Sequence, residues 1–419
     1  MRTLAFWFSL VFIFIIPWET AVKFEGLGTL IKLAGFALTG CWLAALTTSG
    51  KFRQLHPFHL VVFLFVLWNF ISVLWSVDTN RTMDRVFTYT QLAIITLILW
   101  DLYTTPKHLK AGLQVFILGY FVTINAVISD WLNGESSAHG LTWQRYSAFT
   151  FNMNSLALML ALGIPIAWHL AISPSNGLKA QLLKVVNFAY VPLSLFSILL
   201  TSSRGGIIAT TPAFFYILGS VTRLTLLRRV LLTTVLVGAL YVLFPLVPQN
   251  SLDRIATTEA ELTEGNLSNR KIIWEAGFPI FLEHPINGAG SGSFLATVKF
   301  KNRNVAAHNT YLTILVEVGL VGFALFAIIL LMTLRHAIRQ PKVYATMWTA
   351  VVLIWIIGVF SINWEIRKHT WLVFSLVLVS AGLYEQREET NEQLDLLSNP
   401  IGDKLRNFRN SQVHLLDQG

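Results

Sequence analysis

The chain has 419 residues, of which 54% are hydrophobic and only 13% are charged, with a formal net charge of +9. A soluble domain has roughly twice this charged fraction, about 25%, so the composition excludes an ordinary soluble enzyme. The single cysteine, Cys41, excludes an intrachain disulfide and a metal site built from cysteines.

Apolar runs long enough to cross a bilayer follow one another along the chain. A transmembrane helix needs about 20 apolar residues, somewhat fewer or more with tilt. The first run is short and lacks a small-residue cleavage site, so we interpret it as a retained anchor. The sequence predicts an all-α polytopic membrane protein in which residues 1–384 form a twelve-span membrane domain. The predicted spans are 4–18, 29–47, 58–75, 87–103, 111–131, 153–171, 185–201, 205–222, 230–247, 310–334, 343–361 and 370–384.

Short basic loops predict the orientation of these spans. If Met1 lies in the cytoplasm, the cytoplasmic loops are SGKFRQ, TTPKHLK, NGLKAQLLK, RLTLLRR and RHAIRQPK, and each carries two or three Lys or Arg. This distribution follows the positive-inside rule for short loops. Both termini are then cytoplasmic, and residues 385–419 form a polar cytoplasmic tail.

One outward segment is much longer than the others. Residues 248–309, between spans nine and ten, form a loop of largely soluble character that we expect to be helical and catalytic. A polar helix is predicted over 251–265, and a second helix from a cap at Ser268 or Asn269 to Pro285. We refer to this segment as the 248–309 loop.

Arginines on the outward side depart from the positive-inside rule, which predicts few Lys or Arg there. A guanidinium group binds phosphate oxygens through two parallel hydrogen bonds, and such bonds are about twice as strong as neutral ones. We therefore expect an anionic substrate, and a diphosphate bound by these arginines. The candidates are Arg81, Arg85, Arg145, Arg204 and Arg270.

Each of these arginines also has a structural interpretation. Arg204 could anchor at lipid headgroups, and Arg81 or Arg85 could pair with Asp78 or Asp84. Four further cations of the 248–309 loop are interpreted as solvated or steering charges, namely Arg254, Lys299, Lys301 and Arg303. The glycine-rich stretch 287–294 predicts a turn in which backbone amides can approach an oxyanion.

His308 stands where a basic loop enters an apolar helix, for which Asn309 is the expected cap. A helix N-terminus and nearby arginines both disfavour the imidazolium, so the ring should be neutral near pH 7. A neutral imidazole can serve as a general base. The alternative is a histidine that is merely hydrogen-bonded at the helix entrance, and we interpret His139 and His284 as structural.

The residue pattern predicts neither a cofactor nor a metal, because no His/Asp/Glu cluster has the spacing of metal ligands. It gives no sign of nucleic-acid binding. ATP is absent outside the cytoplasm, so a group transfer on the outer side needs a pre-activated donor. Lipid-linked diphosphate sugars meet this need, since fixed positive charge stabilises a leaving diphosphate. His308 would then deprotonate an incoming hydroxyl.

These motifs carry a family resemblance. HNTYLTILVEVGLVG resembles the pattern of the O-antigen ligase family, in which nine residues separate His-Asn from Gly-x-x-Gly. SNRKIIWEAGFPIFLEHPINGAGSGSF and TSSRGG are similar to elements of the wider O-antigen ligase and polymerase superfamily. The matching motifs cover about residues 200–322, whereas the rest of the chain resembles the family in its twelve-span layout.

The resemblance implies a multi-pass enzyme of the Gram-negative inner membrane, with a fold similar to GT-C glycosyltransferases. It would transfer O-antigen polysaccharide from undecaprenyl diphosphate to lipid A-core on the periplasmic face, by metal-independent, inverting chemistry. Carried over by position, His308 would be the base. Arg204 and Arg270 would bind the diphosphate, with Arg145 and Arg81 in support.

Three other functions stay open at this point. An O-antigen polymerase would use the same donor, although its relatives tend to divide basic residues between two large outer loops. A protein O-oligosaccharyltransferase of the same superfamily would accept a polypeptide hydroxyl. From another class, an organic-anion transporter would need interrupted helices and charged midplane residues, which the sequence does not indicate.

Overall fold

The computed structural model describes residues 1–136, 144–300 and 302–398, with side chains through residue 386. His139, Lys301 and the tail from residue 399 onward lie outside the described residues. The first part of the predicted tail, 385–398, continues the last helix instead of leaving it.

Each predicted span overlaps one helix, although the helices at the first and eleventh predicted spans are shorter than a full span. Eight described helices are long and apolar enough to cross a membrane, which fits a polytopic membrane protein. The bounds are Arg2–Ile15 (α1), Leu30–Ser49 (α2), Pro57–Ile71 (α3), Thr79–Leu102 (α4), Pro106–Leu132 (α5), Met153–Ile172 (α6), Leu178–Leu200 (α7), Arg204–Val221 (α8), Leu226–Leu243 (α9), Thr310–Ile338 (α14), Lys342–Gly358 (α15) and Lys368–Ser398 (α16).

The 248–309 loop forms four short helices and a hairpin. They are Gln249–Ala256 (α10), Thr258–Thr263 (α11), Arg270–Glu283 (α12), Phe294–Thr297 (α13), and the antiparallel pair Lys299–Phe300 (β3) and Arg303–Asn304 (β4). A second antiparallel hairpin, Lys23–Phe24 (β1) with Gly28–Thr29 (β2), precedes α2.

The prediction of one helix over 251–265 is wrong, because the chain leaves helical geometry at Thr257, between α10 and α11. The Thr257 hydroxyl donates to the carbonyl of Arg254 and accepts from the Arg204 guanidinium, 3.1 Å away. The break between α10 and α11 therefore coincides with a contact to Arg204, which is distant in sequence. The second predicted helix is confirmed as α12, with Asn269 at its N-cap position.

Helix α6 lies at the centre of the bundle and packs against α5, α7, α8 and α15. Nearly all its side chains are buried. Close approach is possible at Gly163, where an added Cβ would lie 2.2 Å from the Tyr190 hydroxyl. Small residues at helix contacts let backbones come together in this way. In contrast, α9 buries none of its residues and lies at the periphery.

The 248–309 loop covers one end of the bundle, which we call the loop face. There it touches the connections that follow α3, α5 and α7, and α14 meets the connection that follows α15. Since these connections alternate with the short basic loops along the chain, the loop face is the end opposite those basic loops. The joining hydrogen bonds are Ser291 to Ser72, Ser251 to Gln144, Arg204 to Thr257 and Thr310 to Val359.

Helix α14 is interrupted at Gly319, whose φ of 65° and ψ of −167° are not helical. The freed backbone groups bond to the 248–309 loop: Leu320 N–H donates to the Pro285 carbonyl at 2.8 Å, and Gly290 N–H donates to the Glu317 carbonyl at 2.8 Å. A membrane helix can be broken only where neighbouring groups satisfy its backbone in this way. The expectation that the chain lacks interrupted helices is therefore wrong.

Substituting Gly319 with alanine should destabilise the protein. Its positive φ disfavours any side chain, and a Cβ there would lie 2.3 Å from the Ile286 carbonyl oxygen. We expect a loss of about 1–3 kcal/mol or more, seen as a lower thermal midpoint of the protein in detergent. Gly238→Ala in α9 is the matched control, because nothing lies within 4 Å of its Cβ. Equal midpoints for the two variants would contradict this account of the break.

Candidate functional site

A cavity of about 250 Å³ opens at the loop face, between the 248–309 loop and the adjoining ends of α8 and α15. Both the 248–309 loop and the bundle helices contribute charged or polar groups and apolar groups to its wall. The charged and polar lining residues include Asn154, Arg204, Arg254, Glu261, Ser268 and Arg270. The apolar lining includes Ile208, Leu262, Leu267, Trp274, Ile357 and Phe360.

Arg204 is the first residue of α8, which is capped by the Ser203 hydroxyl. Its guanidinium donates to the hydroxyls of Thr257 at 3.1 Å and Ser268 at 2.8 Å. It also forms an ion pair with Glu261 at 3.3 Å. The contacts hold the arginine in place and turn it toward the 248–309 loop instead of outward to lipid headgroups.

Arg145 is buried, with 8% of its surface exposed. Its Nε donates to the Thr201 carbonyl at 3.0 Å, and a terminal nitrogen donates to the Asn154 side-chain oxygen at 3.1 Å. The pKa of Arg145 is lowered to about 9, chiefly by burial and to a lesser extent by the charges of Arg254, Arg270 and Arg204. Asn154 connects this buried guanidinium to the cavity wall.

Arg270 and Arg254 complete a cluster of four arginines drawn from separate parts of the chain. Burial lowers the pKa of Arg270 to about 10, with Arg204 and Arg254 acting in the same direction and Glu261 opposing them. Burial also lowers the pKa of Arg254. Within the described residues, neither guanidinium makes a hydrogen bond or ion pair.

We call Arg145, Arg204, Arg254 and Arg270 the arginine cluster. Arginine stays protonated in proteins, so the lowered pKa values of Arg145, Arg254 and Arg270 reflect first the cost of burying these charges and second their mutual repulsion. Against four positive charges the cavity offers one carboxylate, that of Glu261. A bound anion would relieve this repulsion. The interpretation of Arg254 as a solvated charge is therefore not supported, because the residue lines the cavity.

Replacing Glu261 with glutamine should strengthen anion binding. The carboxylate competes with an anion for Arg204 and also accepts from the Ser268 amide at 2.9 Å. We expect inorganic pyrophosphate to bind the variant roughly fivefold more tightly, or about 1 kcal/mol for a partly exposed pair. Calorimetry of the purified protein would measure this change. Glu259→Gln, an exposed neighbour on α11, should bind as the wild type does, and weaker binding by Glu261→Gln would contradict the competition.

His308 lies beside the cavity, between two fixed neighbours. Trp274, which lines the cavity, donates from its indole nitrogen to the Ala307 carbonyl at 2.8 Å. Asn309 caps α14 by accepting from the amides of Tyr311 and Leu312, which confirms its predicted role. His308 itself has a φ of 49°. A non-glycine residue in this left-handed region is uncommon, and such strain concentrates at functional sites.

The His308 ring is suited to accept a proton. Burial lowers its pKa, and the charge of Arg270 lowers it further. The imidazole is thus neutral near pH 7, as expected, although burial contributes more than the predicted arginine. Among the described residues, the ring forms no hydrogen bond. His308 does not line the cavity, but the Trp274 indole, which does, donates to the carbonyl of the preceding residue Ala307, so the histidine lies beside the cavity wall.

The structure does not bring Arg81 and Arg85 to this cavity. Arg81 pairs with Asp78 at 2.9 Å, three residues earlier at the start of α4, as in the alternative interpretation. Arg85 instead contacts Glu317 and Glu365. The hairpin residues Lys299 and Arg303 are exposed, in agreement with their interpretation as solvated charges.

The glycine-rich stretch 287–294 does not offer its amides to a ligand. The amides of Gly288, Ala289 and Gly290 donate to backbone carbonyls, and that of Ser291 donates to the Ser72 hydroxyl. The interrupted helix α14 and its neighbours use these four amides, whereas the amides of Gly292 and Phe294 hydrogen-bond the Glu317 carboxyl. Within the described part of the chain, no group of three or more His, Cys, Asp and Glu side chains could hold a metal ion.

A comparison with protein families matches residues 189–327 to the model described as O-Antigen ligase. The match confirms the resemblance to this family over a stretch that runs from α7 into α14. It contains His308 and every member of the arginine cluster except Arg145. No curated protein matches the chain.

Proposed function

We propose that this membrane protein, whose residues 189–327 match the O-antigen ligase family model, is an O-antigen ligase. Members of the family are glycosyltransferase-like enzymes. The reaction would move O-antigen polysaccharide from undecaprenyl diphosphate to a sugar hydroxyl of lipid A-core. The observation that carries this proposal is the convergence of the arginine cluster on one cavity beside a neutral histidine.

The arginine cluster would hold the donor diphosphate. Its unrelieved positive charge suits a dianionic group, and guanidinium forks match phosphate oxygens. The apolar side of the cavity, formed by Ile208, Ile357 and Phe360, suits the first units of a polyprenyl chain. Because the basic loops lie at the other end of the bundle, the positive-inside rule puts the loop face on the periplasmic side of the inner membrane.

His308 would act as the general base. Its neutral ring accepts the proton of the acceptor hydroxyl while that oxygen attacks the anomeric carbon of the donor sugar. The bond from this carbon to the diphosphate oxygen breaks, and the arginine cluster stabilises the leaving group. Attack opposite to the leaving group inverts the anomeric centre. The scheme needs no metal or cofactor, since fixed guanidinium groups supply the positive charge.

Two related functions would use the same site. An O-antigen polymerase and a protein O-oligosaccharyltransferase differ from the ligase in the acceptor and not in the donor. An organic-anion transporter is the alternative from another class, and two observations favour it. The interruption of α14 at Gly319 and the buried charges of Arg85, Glu317 and Glu365 are features that transporters use.

Transfer in a purified system separates these functions. The chelator-treated protein would be supplied with undecaprenyl diphosphate-linked polysaccharide and lipid A-core. We expect polysaccharide attached to lipid A-core. Longer lipid-linked chains would indicate a polymerase, and glycosylated polypeptide would indicate an oligosaccharyltransferase. Anion uptake into proteoliposomes without any transfer would replace the proposal with the transporter.

A further inference from the structure

A second charged cluster lies outside the arginine cluster, where α4, α14 and the connection from α15 to α16 meet. Arg85 on α4 contacts Glu365 of the connection at 3.0 Å and Glu317 of α14 at 3.8 Å. The side chains of Arg85, Glu317 and Glu365 are 20%, 4% and 0% exposed. We call these three residues the buried triad.

The charges of the buried triad do not balance. Two carboxyl groups face one guanidinium, so two ionised glutamates would leave one negative charge uncompensated. Glu317 Oε1 and Glu365 Oε2 are both buried and have no hydrogen-bond partner. Isolated buried charges are so costly that the group is usually neutralised instead. The same cost applies to a buried salt bridge in which a second carboxylate is left without a compensating cation.

The other groups around the buried triad do not supply the missing positive charge. The Tyr89 hydroxyl faces it from α4. From the 248–309 loop, the backbone N–H groups of Gly292 and Phe294 donate hydrogen bonds to the Glu317 carboxyl, which favour its ionised form. These groups are polar but uncharged. Among the described residues, Arg85 is the one cation in contact with the two glutamates.

We propose that Glu317 and Glu365 together bind one proton at neutral pH, and that the protonated triad positions the segment that carries His308. The proton leaves one carboxylate for Arg85 and makes the triad neutral. It also gives one of the two orphaned oxygens a hydrogen to donate. The inference rests on charge and burial, and it does not depend on the proposed function.

The positioning role follows from where the two glutamates lie. Glu317 belongs to the short part of α14 between His308 and the break at Gly319. Glu365 belongs to the connection from α15 to α16, which is hydrogen-bonded to the start of α14: the Thr310 hydroxyl donates to the Ile362 carbonyl at 2.9 Å, and Trp364 N–H donates to that hydroxyl at 2.8 Å. Loss of the proton would set two like charges between these segments, whose hydrogen bonds at Thr310 lie two residues from His308.

Infrared spectroscopy of the full-length protein in detergent tests the bound proton directly. A protonated carboxyl has a carbonyl stretch that an ionised carboxylate lacks. At pH 7 we expect this band in the wild type, and we expect it to be lost in Glu317→Gln and in Glu365→Gln, since each leaves a single carboxylate paired with Arg85. Glu283→Gln, an exposed site at the end of α12, should keep the band. A wild type without the band overturns the proposal.

Thermal midpoints provide a second readout that a merely structural ion pair would not reproduce. Each single glutamine variant should keep the wild-type midpoint, because Arg85 retains one carboxylate. The double variant leaves Arg85 unpaired, so its midpoint should fall by more than the sum of the single effects. If instead both single variants lose stability and their losses add up to that of the double variant, the glutamates act as two separate anions and no proton is shared.

The pH dependence completes the test. The unfolded chain releases this proton above the ordinary glutamate pKa of about 4.3, whereas the folded state still holds it at neutral pH. The contribution to stability is therefore fully present below about pH 4 and is lost progressively as pH rises, until the folded state also releases the proton. We expect the midpoint of the wild type to decline from about pH 5 through neutral pH, and that of Glu317→Gln to decline less. Parallel curves for the two proteins would overturn the proposal. If the proposed function also holds, the transfer rate of the wild type should fall at the alkaline pH at which the folded protein releases the proton.

Discussion

Substitution of His308 is expected to reduce glycosyl transfer by about 10²–10⁴-fold, the usual contribution of a general base. Alanine removes the base but is poorly suited to the φ of 49° at this position. Asparagine tolerates the left-handed region better and cannot accept the proton as imidazole does. We therefore expect His308→Asn to keep the fold and the donor affinity while losing the rate.

The pairing of His308→Asn with His284→Asn gives a matched control, because His284 is exposed on the same loop. Only the first substitution should lower the rate. The acid limb of the wild-type pH profile is a second readout. Since the pKa of His308 is lowered, the base stays neutral below the ordinary histidine value of about 6.5, and the rate falls only as pH drops through the lowered pKa. A fully active His308→Asn protein would remove the base from the mechanism.

Substitution of Arg270 is expected to cause the second large effect, a loss of donor affinity. Its guanidinium has no described protein partner, so we assign its bonding capacity to the donor diphosphate. A hydrogen bond to a charged group contributes about 1.5–3 kcal/mol, so we expect Arg270→Ala to weaken donor binding by roughly 10- to 100-fold. Arg270→Lys should retain part of the affinity, because lysine keeps the positive charge but cannot donate two parallel hydrogen bonds to the phosphate oxygens. The measurement is the KM for the lipid-linked donor, together with calorimetric binding of inorganic pyrophosphate.

Stability distinguishes this role from a structural one. Because Arg270 is repelled by Arg204 and Arg254, its removal should leave the thermal midpoint of the ligand-free protein unchanged or raise it. Binding would thus weaken without loss of fold, as is common where function maintains a local strain. Arg303→Ala, an exposed arginine of the same loop, should change neither quantity. Normal donor use by Arg270→Ala would refute the diphosphate site.

The helices could be predicted from the sequence because a chain in lipid must satisfy its backbone hydrogen bonds within each span. Long apolar runs therefore become helices whatever their neighbours are. The interruption at Gly319 could not be predicted, since its freed amides are satisfied by residues 285–290, some thirty positions earlier in the chain. A glycine within an apolar run gives no sign that such a partner exists.

The sequence predicts the chemistry of the candidate site better than it predicts which residues form the site. Outward arginines and a histidine at a helix start predicted an anion site with a base, and the structure brings Arg204 and Arg270 to one cavity, with Arg145 joined to its wall through Asn154. Arg254 was predicted to lie outside the site and Arg85 within it, whereas Arg254 lines the cavity and Arg85 does not. The difference lies in the partners: Arg85 contacts two buried glutamates from distant segments, whereas Arg254 has no side-chain partner among the described residues. Local sequence does not contain that information.

The arginine cluster has a consequence for turnover. The leaving group of the proposed reaction is itself a diphosphate, and it carries more negative charge after the sugar has departed than before. A cavity with unpaired guanidinium groups would therefore bind the product, undecaprenyl diphosphate, more tightly than the lipid-linked donor. Product release, and not bond cleavage, would then be the rate-limiting step. Accumulated undecaprenyl diphosphate would act as a competitive inhibitor.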